Sequence, residues 1–97
     1  MSALDSIKAN ISELKPYLNS KYYVTDLYLF GSFAREEQTE QSDIDLLVDF
    51  YKTPDLLTFI EIEEFLSTKL HHSVDLVPRR KLKPQLKDQI LKEAIAL

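Results

Sequence analysis

The sequence predicts an α/β fold in which helices and strands alternate along one domain of residues 1–97. Two observations support this fold class. Three short segments rich in Val, Ile, Leu and aromatic residues lie at 24–30, 43–50 and 74–77, which is typical of strands. Apolar residues recur every three or four positions in the segments around them, which is typical of amphipathic helices. The alternation predicts a small sheet of about three strands, flanked by about four helices.

The length and composition are those of a small globular domain. The 97 residues are 44% hydrophobic and 29% charged, as in ordinary globular proteins. The chain has no cysteine, which excludes disulfides and thiolate metal sites and is compatible with a reducing compartment. No apolar run approaches the roughly 20 residues that span a bilayer, and the N-terminus lacks the regions of a signal peptide. We therefore expect a cytoplasmic protein without membrane contact.

The net charge of −4 is unevenly distributed along the chain. Residues 1–77 contain six Lys or Arg and fourteen Asp or Glu, whereas residues 78–97 contain six Lys or Arg and two Asp or Glu. An acidic body argues against direct nucleic-acid binding, because such binding needs a broad basic surface. The basic C-terminal segment either faces phosphates or an acidic partner, or is a solvated helix face.

The first two predicted elements are a helix and a strand. Apolar residues at helical spacing predict a helix over residues 3–18, with Ser2 as its N-cap. Pro16 should kink or end this helix, because proline lacks the backbone N–H and its ring crowds the preceding turn. We expect a connector over residues 19–23 and then a strand over residues 24–30, with side chains alternating between two faces.

A turn and an acidic strand follow. Gly31, the only glycine, directly follows a strand and predicts a turn that needs positive φ or close backbone approach. Ser32 is placed to cap a short helix over about residues 33–37. After a polar loop, the strand over residues 43–50 carries three acids on the face opposite most of its apolar side chains. These acids are Asp43, Asp45 and Asp49.

The second half of the chain predicts a helix, a strand and a helix. The third helix should run over residues 54–70, with Pro54 in its first turn and ordinary C-terminal histidines at 71–72. Its solvated side should carry Glu61, Glu63 and Glu64. A short buried strand should follow over residues 74–77, and a final helix should run from Pro84 to Leu97.

The acids indicate a site for a hard cation. Asp43 and Asp45 are two residues apart on a strand, so their side chains leave one face about 7 Å apart. Asp75 would join them if its strand is adjacent. Carboxylates with room for water and phosphate suit Mg²⁺ or Mn²⁺ rather than zinc.

The turn at Gly31 and Ser32 indicates a complementary phosphate site. A glycine lets the backbone approach a phosphate, and the start of the following helix presents free N–H groups. Ser32 can add a hydroxyl donor, and Arg35 could reach the same anion. The alternatives are a plain turn with a helix cap, and an arginine that serves only solubility or a salt bridge.

Together these segments resemble the signature of the minimal nucleotidyltransferases (MNT domains) of the DNA polymerase beta superfamily. The first part is Gly31-Ser32-Phe33-Ala34-Arg35, and the second is Ser42-Asp43-Ile44-Asp45-Leu46-Leu47-Val48. Val74-Asp75-Leu76-Val77 is similar to the strand of the third acid. The resemblance covers most of the chain from about residue 24 onward.

This resemblance implies a nucleotidyltransferase fold with a mixed sheet. It implies Mg²⁺-dependent transfer of a nucleoside monophosphate, AMP from ATP in our prediction, to a hydroxyl acceptor with release of pyrophosphate. The implied metal-binding and catalytic residues are Asp43, Asp45 and Asp75. The implied nucleotide-binding residues are Gly31, Ser32, Arg35 and Ser42.

The resemblance also implies a partner. Minimal nucleotidyltransferases of this length resemble the antitoxins of toxin–antitoxin pairs, in which the MNT protein adds AMP to a tyrosine of a HEPN ribonuclease toxin. One alternative is an antitoxin that neutralises its partner by contact, with weak or no catalysis. A less favoured one is a small-molecule nucleotidyltransferase of the antibiotic-modifying kind, because no added domain supplies an acceptor pocket. Association with itself or with a partner is also expected for so small a chain.

One residue departs from the family pattern. The family usually has a second glycine after the arginine of the first motif, and this chain has Glu36. An acid beside the presumed phosphate turn either weakens nucleotide binding or points harmlessly to solvent.

Overall fold

The computed structural model describes residues 2–97, and Met1, the first residue of the predicted domain, lies outside them. The helices are α1 (Ala3–Tyr22), α2 (Gly31–Ala34), α3 (Leu56–Leu70) and α4 (Pro84–Glu93). The strands are β1 (Val24–Phe30), β2 (Ile44–Phe50), β3 (Val74–Pro78) and β4 (Ile95–Ala96), with a 3₁₀ turn at Arg79–Lys81. The predicted α/β class is confirmed, while the sheet has four strands rather than about three.

The four strands form one mixed sheet in the order β3-β2-β1-β4. Strands β2 and β3 are parallel, and β1 is antiparallel to both β2 and β4. The second and third strands are adjacent, which is the condition that the sequence set for bringing Asp75 to the other acids, and their register places Asp45 opposite Asp75. The two acids therefore lie on neighbouring strands and on the same face of the sheet.

One face of the sheet packs against α1 and α3. The alternating residues of β2 that were predicted to point inward, Ile44, Leu46 and Val48, are 2% exposed or less. They pack with apolar residues of both helices, among them Ile11, Leu18, Ile62 and Leu66. Leu47 points to the opposite face and is also fully buried, in register with Tyr28 and Val77. No helix in residues 2–97 has both the length and the apolar composition that crossing a membrane requires.

Helix α1 passes through Pro16 and ends four residues later than predicted, at Tyr22. Of the two predicted effects of Pro16, a kink or the end of the helix, the end was wrong, and so was the connector over residues 19–23. Leu18 and Tyr22 are 0% and 5% exposed, so the last helical turns bury side chains in the core. Tertiary packing of this kind outweighs the local cost of one proline.

The C-terminus forms a strand that was not predicted. Helix α4 ends at Glu93 instead of continuing to Leu97, because Ala94 adopts an extended conformation (φ −65°, ψ 138°). Ile95 and Ala96 then pair with Leu29 and Tyr28 of β1. The N–H of Leu97 donates to the carbonyl of Leu27 at 2.9 Å. The chain thus ends as the edge strand beside β1.

Helix α3 begins at Leu56, two residues later than predicted. Asp55 is its N-cap, and the Thr58 N–H donates to Asp55 Oδ1 at 2.7 Å. Pro54 therefore precedes the cap instead of occupying the first turn. A capping carboxylate satisfies a backbone donor that has no partner inside the helix, so the cap sets where the helix starts.

Two of the glutamates predicted to be solvated on α3 bind other parts of the fold. Glu63 is half-buried, and its Oε2 accepts from the Leu76 N–H at 2.8 Å. Glu61 Oε2 accepts from the Tyr22 hydroxyl at 2.6 Å. Burial and this hydrogen bond raise the pKa of Tyr22. Glu63 therefore connects α3 to β3, the strand that carries Asp75, and Glu61 connects α3 to α1.

Replacing Asp55 with alanine should destabilise the protein modestly and in a pH-dependent way. The hydrogen bond from Thr58 lowers the pKa of Asp55. Such a carboxylate stabilises the fold above its unfolded pKa of about 3.9, and the contribution is lost as the pH falls through the folded-state pKa. At neutral pH we expect an unfolding temperature lower by about 4–8 °C.

Thermal unfolding, followed by circular dichroism between about pH 7 and pH 2.5, tests whether the stabilisation by Asp55 is lost as the pH falls. The gap between wild type and Asp55→Ala should close as the pH falls. Asp55→Asn is the matched control, because asparagine caps helices without titrating. A gap of constant size down to the lowest pH would contradict the assignment.

Candidate active site

Asp45 and Asp75 are the centre of the site. They are direct partners in the parallel pair of β2 and β3, and adjacent strands are about 4.8 Å apart. Asp43 lies just before β2. Asp45 is half-buried, whereas Asp43 and Asp75 are exposed. The acids therefore lie where a solvated ligand can reach them.

The surroundings of Asp45 disfavour a negative charge on its carboxylate. Burial raises the pKa of Asp45, and the negative charges of Asp75 and Asp43 raise it further, while Arg35 opposes the shift. Within residues 2–97, no three acidic, histidine or cysteine side chains are close enough to hold a metal ion as a group. The structure thus brings Asp45 and Asp75 together and keeps Asp43 within electrostatic range. Their roles as metal ligands and catalytic residues remain predictions.

Gly31 is packed directly against one of these acids. Its φ is +74°, in the left-handed region that favours glycine. A Cβ atom at this position would lie 2.2 Å from Oδ2 of Asp45, far inside van der Waals contact. The predicted need for glycine is therefore explained twice, by the backbone angle and by the close approach of Asp45.

Helix α2 starts earlier than predicted. It spans only Gly31–Ala34, and the N-cap position is Phe30, which has no side-chain capping bond. Ser32 lies inside this short helix and does not cap it. Phe33 is buried and anchors the turn to the core. Gly31 therefore presents its backbone beside Asp45, Ser32 is half-buried in the same turn, and their role in nucleotide binding stays a prediction.

Glu36 occupies the position that ends α2. The Glu37 N–H donates to the Ser32 carbonyl at 2.9 Å, and the Glu36 N–H donates to the Phe33 carbonyl at 3.3 Å. These two bonds form a Schellman motif, in which the residue at this position adopts a left-handed conformation. Glu36 has φ +57° and is exposed. Position 36, where the family usually has glycine, therefore ends helix α2. The Glu36 side chain is exposed to solvent.

Replacing Glu36 with glycine should stabilise the protein by about 1 kcal/mol or less, because glycine adopts positive φ without a steric penalty. Since the Glu36 side chain is exposed, ATP affinity should change by less than about threefold, a difference of ~0.65 kcal/mol. Chemical denaturation and calorimetric titration measure the two quantities. Glu37→Gly, one residue further on, is the control and should not stabilise. A large gain in ATP affinity in Glu36→Gly would show that the acid obstructs the phosphate turn.

Arg35 is bound to two glutamates in this structure. Its Nη1 donates to Glu93 Oε2 at 3.1 Å and its Nε to Glu37 Oε2 at 3.3 Å, and both acids raise its pKa. Arg35 nevertheless acts electrostatically on Asp45. Surface ion pairs of this kind are weak, so a triphosphate can compete for the guanidinium. Its predicted nucleotide contact is compatible with this arrangement and untested by it.

Ser42, the last predicted nucleotide-binding residue, belongs to a tight turn. Its N–H donates to the Thr39 carbonyl at 3.1 Å, and the Thr39 N–H donates to Ser42 Oγ at 2.9 Å. The Ser42 carbonyl accepts a hydrogen bond from Nε2 of His72. The hydroxyl therefore has an internal partner, and its predicted contact with a nucleotide stays a prediction.

Two features near the acids were not found from the sequence. His72, interpreted as an ordinary helix-terminal residue, contacts Ser42. On the acid face of the sheet, Arg79 Nη1 donates to Asp49 Oδ2 at 3.1 Å, and its guanidinium lies 5.4 Å from the Tyr28 ring centroid. Both contacts join residues 30 positions apart, and no local motif signals such pairs.

The family of the chain follows from comparison with known proteins. The model of the nucleotidyltransferase domain family matches residues 11–97. The chain belongs to this family, so the predicted enzyme class, a nucleotidyltransferase, is confirmed. Relatives include "Putative protein adenylyltransferase MJ0128" of Methanocaldococcus jannaschii, 46% identical over 98% of both chains. Protein adenylyltransferase MntA of Thermococcus cleftensis is 39% identical over 98% of this chain and 96% of its own.

Solved structures confirm the predicted nucleotidyltransferase fold. A minimal nucleotidyltransferase superposes with a TM-score of 0.81 at 36% identity, over 97% of this chain and 95% of its own. A chain of a toxin–antitoxin complex with AMP-PNP gives 0.74 at 29% identity, over 91% and 69%. A chain of a complex between a tri-AMPylated Shewanella oneidensis HEPN toxin and an MNT antitoxin gives 0.67 at 25%, over 93% and 70%. The predicted similarity to MNT antitoxins is thereby confirmed.

Proposed function

We propose that this chain transfers AMP from ATP to a tyrosine hydroxyl of a HEPN ribonuclease toxin and thereby acts as its antitoxin. The observation that carries the proposal is the contact of Gly31 with Asp45, which is paired with Asp75. This places a glycine turn that can accept phosphate beside two carboxylates. Relatives named as protein adenylyltransferases and a neighbour that contains an AMP-modified HEPN toxin support the choice of acceptor.

The acid cluster fits a hard divalent cation. Its donor set is carboxylate oxygen only, which suits Mg²⁺ or Mn²⁺. Burial, and after it the negative charges of Asp75 and Asp43, raise the pKa of Asp45, and a cation would favour its charged form. Asp45 and Asp75, which are paired across β2 and β3, would hold it, with Asp43 as the proposed third ligand. When bound, the cation would neutralise charge on the triphosphate and on the leaving pyrophosphate.

The side chains around the cluster have distinct proposed roles. The backbone of Gly31 and the hydroxyl of Ser32 contact the β- and γ-phosphates, and Arg35 and Ser42 extend this contact. The acceptor oxygen attacks the α-phosphorus of ATP, the bond from that phosphorus to the bridging oxygen breaks, and pyrophosphate leaves. The exposed carboxylate of Asp75 can take the proton that the hydroxyl loses.

The acceptor site is supplied by the partner in this proposal. Three cavities of about 250–340 Å³ lie elsewhere. The largest is between α1 and β1, lined by residues such as Lys15, Asn19 and Asp26, and it contains none of the predicted site residues. The acids instead lie on an accessible surface. A protein side chain brought in by a partner suits such a surface better than a free small-molecule acceptor.

A second candidate function is neutralisation by contact alone. The observations that favour it are the absence of a preformed three-residue metal group in residues 2–97 and the ion pairs that occupy Arg35. Exposed leucines at the start of α3, Leu56 at 73% and Leu57 at 80%, also suit a protein-binding role. In this case the nucleotide site would be retained without appreciable turnover.

The test is intact-mass spectrometry of a HEPN toxin encoded beside this chain, after incubation with the chain, ATP and Mg²⁺. A mass gain of one or more AMP units is the expected result. Omitting Mg²⁺, or replacing ATP by its α,β-methylene analogue, in which the bond that breaks during AMP transfer is replaced by an uncleavable one, separates turnover from binding. A stable complex without any mass gain would overturn the enzymatic proposal and favour the contact antitoxin.

A further inference from the structure

The side chain of His72 contacts two segments of the candidate active site. His72 follows the end of α3, and its Nε2 donates to the Ser42 carbonyl, since a carbonyl oxygen can only accept. Its ring meets Phe33 of α2 edge-on, with centroids 5.2 Å apart and planes at 79°. Ser42 directly precedes Asp43, and Phe33 is two residues from Gly31. One imidazole thus joins the acid loop to the glycine turn.

The loop that His72 holds has few other attachments. Residues 38–43 are closed mainly by hydrogen bonds among Thr39, Gln41 and Ser42. Among the hydrogen bonds of residues 2–97 that do not belong to a helix or a strand pair, the bond from His72 is the one that connects residues 38–43 to another part of the chain. Asp43, at the end of this loop, has no strand partner of its own. Asp43 is therefore held on one side by Ile44, whose N–H donates to the Ser73 carbonyl at 2.9 Å, and on the other side by Ser42.

His72 is itself held firmly. Its N–H donates to the Ser67 carbonyl at 3.1 Å and fixes it to the last turn of α3. Two residues further on, β3 begins and carries Asp75. The neighbouring His71 is exposed and adopts φ +54° at the helix end, with no contact of this kind among the described residues. The two adjacent histidines therefore differ in role.

We infer that His72 is a positioning residue of the nucleotide site. Its donor fixes the Ser42 carbonyl on one side of Asp43, and its ring packs on Phe33, which the core already holds. Without the donor, the loop over residues 38–43 is free to move, and ATP must order it on binding. The inference rests on the proposed function only for the choice of ATP as ligand. Groups that orient ligand-holding residues commonly change affinity about 10–100-fold when removed.

Variants of His72 separate its two contacts. His72→Phe keeps an aromatic ring against Phe33 and removes the donor. His72→Gln removes the ring and keeps an amide N–H at a similar reach. His71→Asn is the matched control, since asparagine tolerates positive φ and the residue touches neither segment. Circular dichroism and unfolding temperature confirm that each variant folds.

Two measurements decide the inference. The first is the Kd for AMP-PNP with Mg²⁺ by calorimetry, which should weaken about tenfold in His72→Phe and about threefold or less in His72→Gln and His71→Asn. The second is amide hydrogen exchange of residues 38–43 without nucleotide, which should accelerate in His72→Phe alone. A residue with a merely structural role would lower the unfolding temperature and leave both quantities unchanged.

The inference fails if His72→Phe binds AMP-PNP as wild type does, or if its loop exchange is unchanged. If wild type binds no AMP-PNP, the proposed function fails. The exchange measurement on the nucleotide-free chain still supports or overturns the role of His72, so the two failures are distinguishable.

Discussion

Replacing Asp43 and Asp45 together by asparagine should reduce AMP transfer to a HEPN toxin by about 10³-fold or more. Asparagine keeps the size of the side chain and removes the charge that a cation and a departing pyrophosphate require. Asp45 is the half-buried member of the pair with Asp75, so its loss removes the centre of the cluster. Intact-mass spectrometry of the toxin over time measures the rate directly.

The same variant should fold at least as well as wild type. Burial and neighbouring negative charges raise the pKa of Asp45, so its charge is unfavourable in the protein without a cation. Glu64→Gln with Asp88→Asn is a control of equal charge change at two exposed positions, and it should retain full transfer. If the Asp43/Asp45 variant still modified the toxin, these acids would not be catalytic. If it lost transfer but still neutralised the toxin, contact alone would explain antitoxin activity.

Replacing Gly31 with alanine should destabilise the protein by about 2–4 kcal/mol and abolish measurable ATP binding. Part of the cost, about 1–2 kcal/mol, comes from a left-handed backbone angle in a residue with a Cβ. The rest comes from the overlap of that Cβ with the Asp45 carboxylate, 2.2 Å away, which must force Asp45 or the turn to move. Chemical denaturation and calorimetric titration with AMP-PNP measure the two effects.

A double-mutant cycle with Asp45→Ala separates these contributions. Removing the carboxylate should recover about 1–2 kcal/mol of the stability lost in Gly31→Ala, because the two positions are in contact. The backbone contribution should remain. Glu36 shows that this protein tolerates positive φ at a residue with a side chain. Additive stability changes in the cycle would mean that Gly31 and Asp45 do not touch as the structure describes.

Local sequence patterns were sufficient for the elements that carry the candidate site. The alternation of β2 predicted that the apolar residues Ile44, Leu46 and Val48 share the face opposite the acids, and all three are buried. The turn at Gly31 was likewise predicted to need positive φ or close backbone approach, and its φ of +74° confirms this. Each of these predictions depends on side-chain period or on a turn residue, which are properties of a short segment.

The errors concern features that distant residues determine. Pro16 remains inside α1 because residues after it are buried against other elements. Helix propensities describe single residues and do not include such burial. Strand β4 exists because β1 offers it backbone partners about 68 positions away. The ion pair of Arg35 with Glu93, one of the two alternatives that the sequence left open for this residue, spans 58 positions. Sequence periodicity gives no information on contacts between such distant residues.

The final residues of the chain limit how the protein can be joined to other polypeptides. Leu97 donates to Leu27, and its carbonyl accepts from Lys15 Nζ at 2.8 Å, so the last residue is bonded to both β1 and α1. A linker fused there would start within the sheet edge and run toward Asp26, beside a cavity under α1. Ser2, in contrast, is exposed. Affinity tags and immobilisation handles for the measurements above therefore belong at the N-terminus, where they leave the sheet intact.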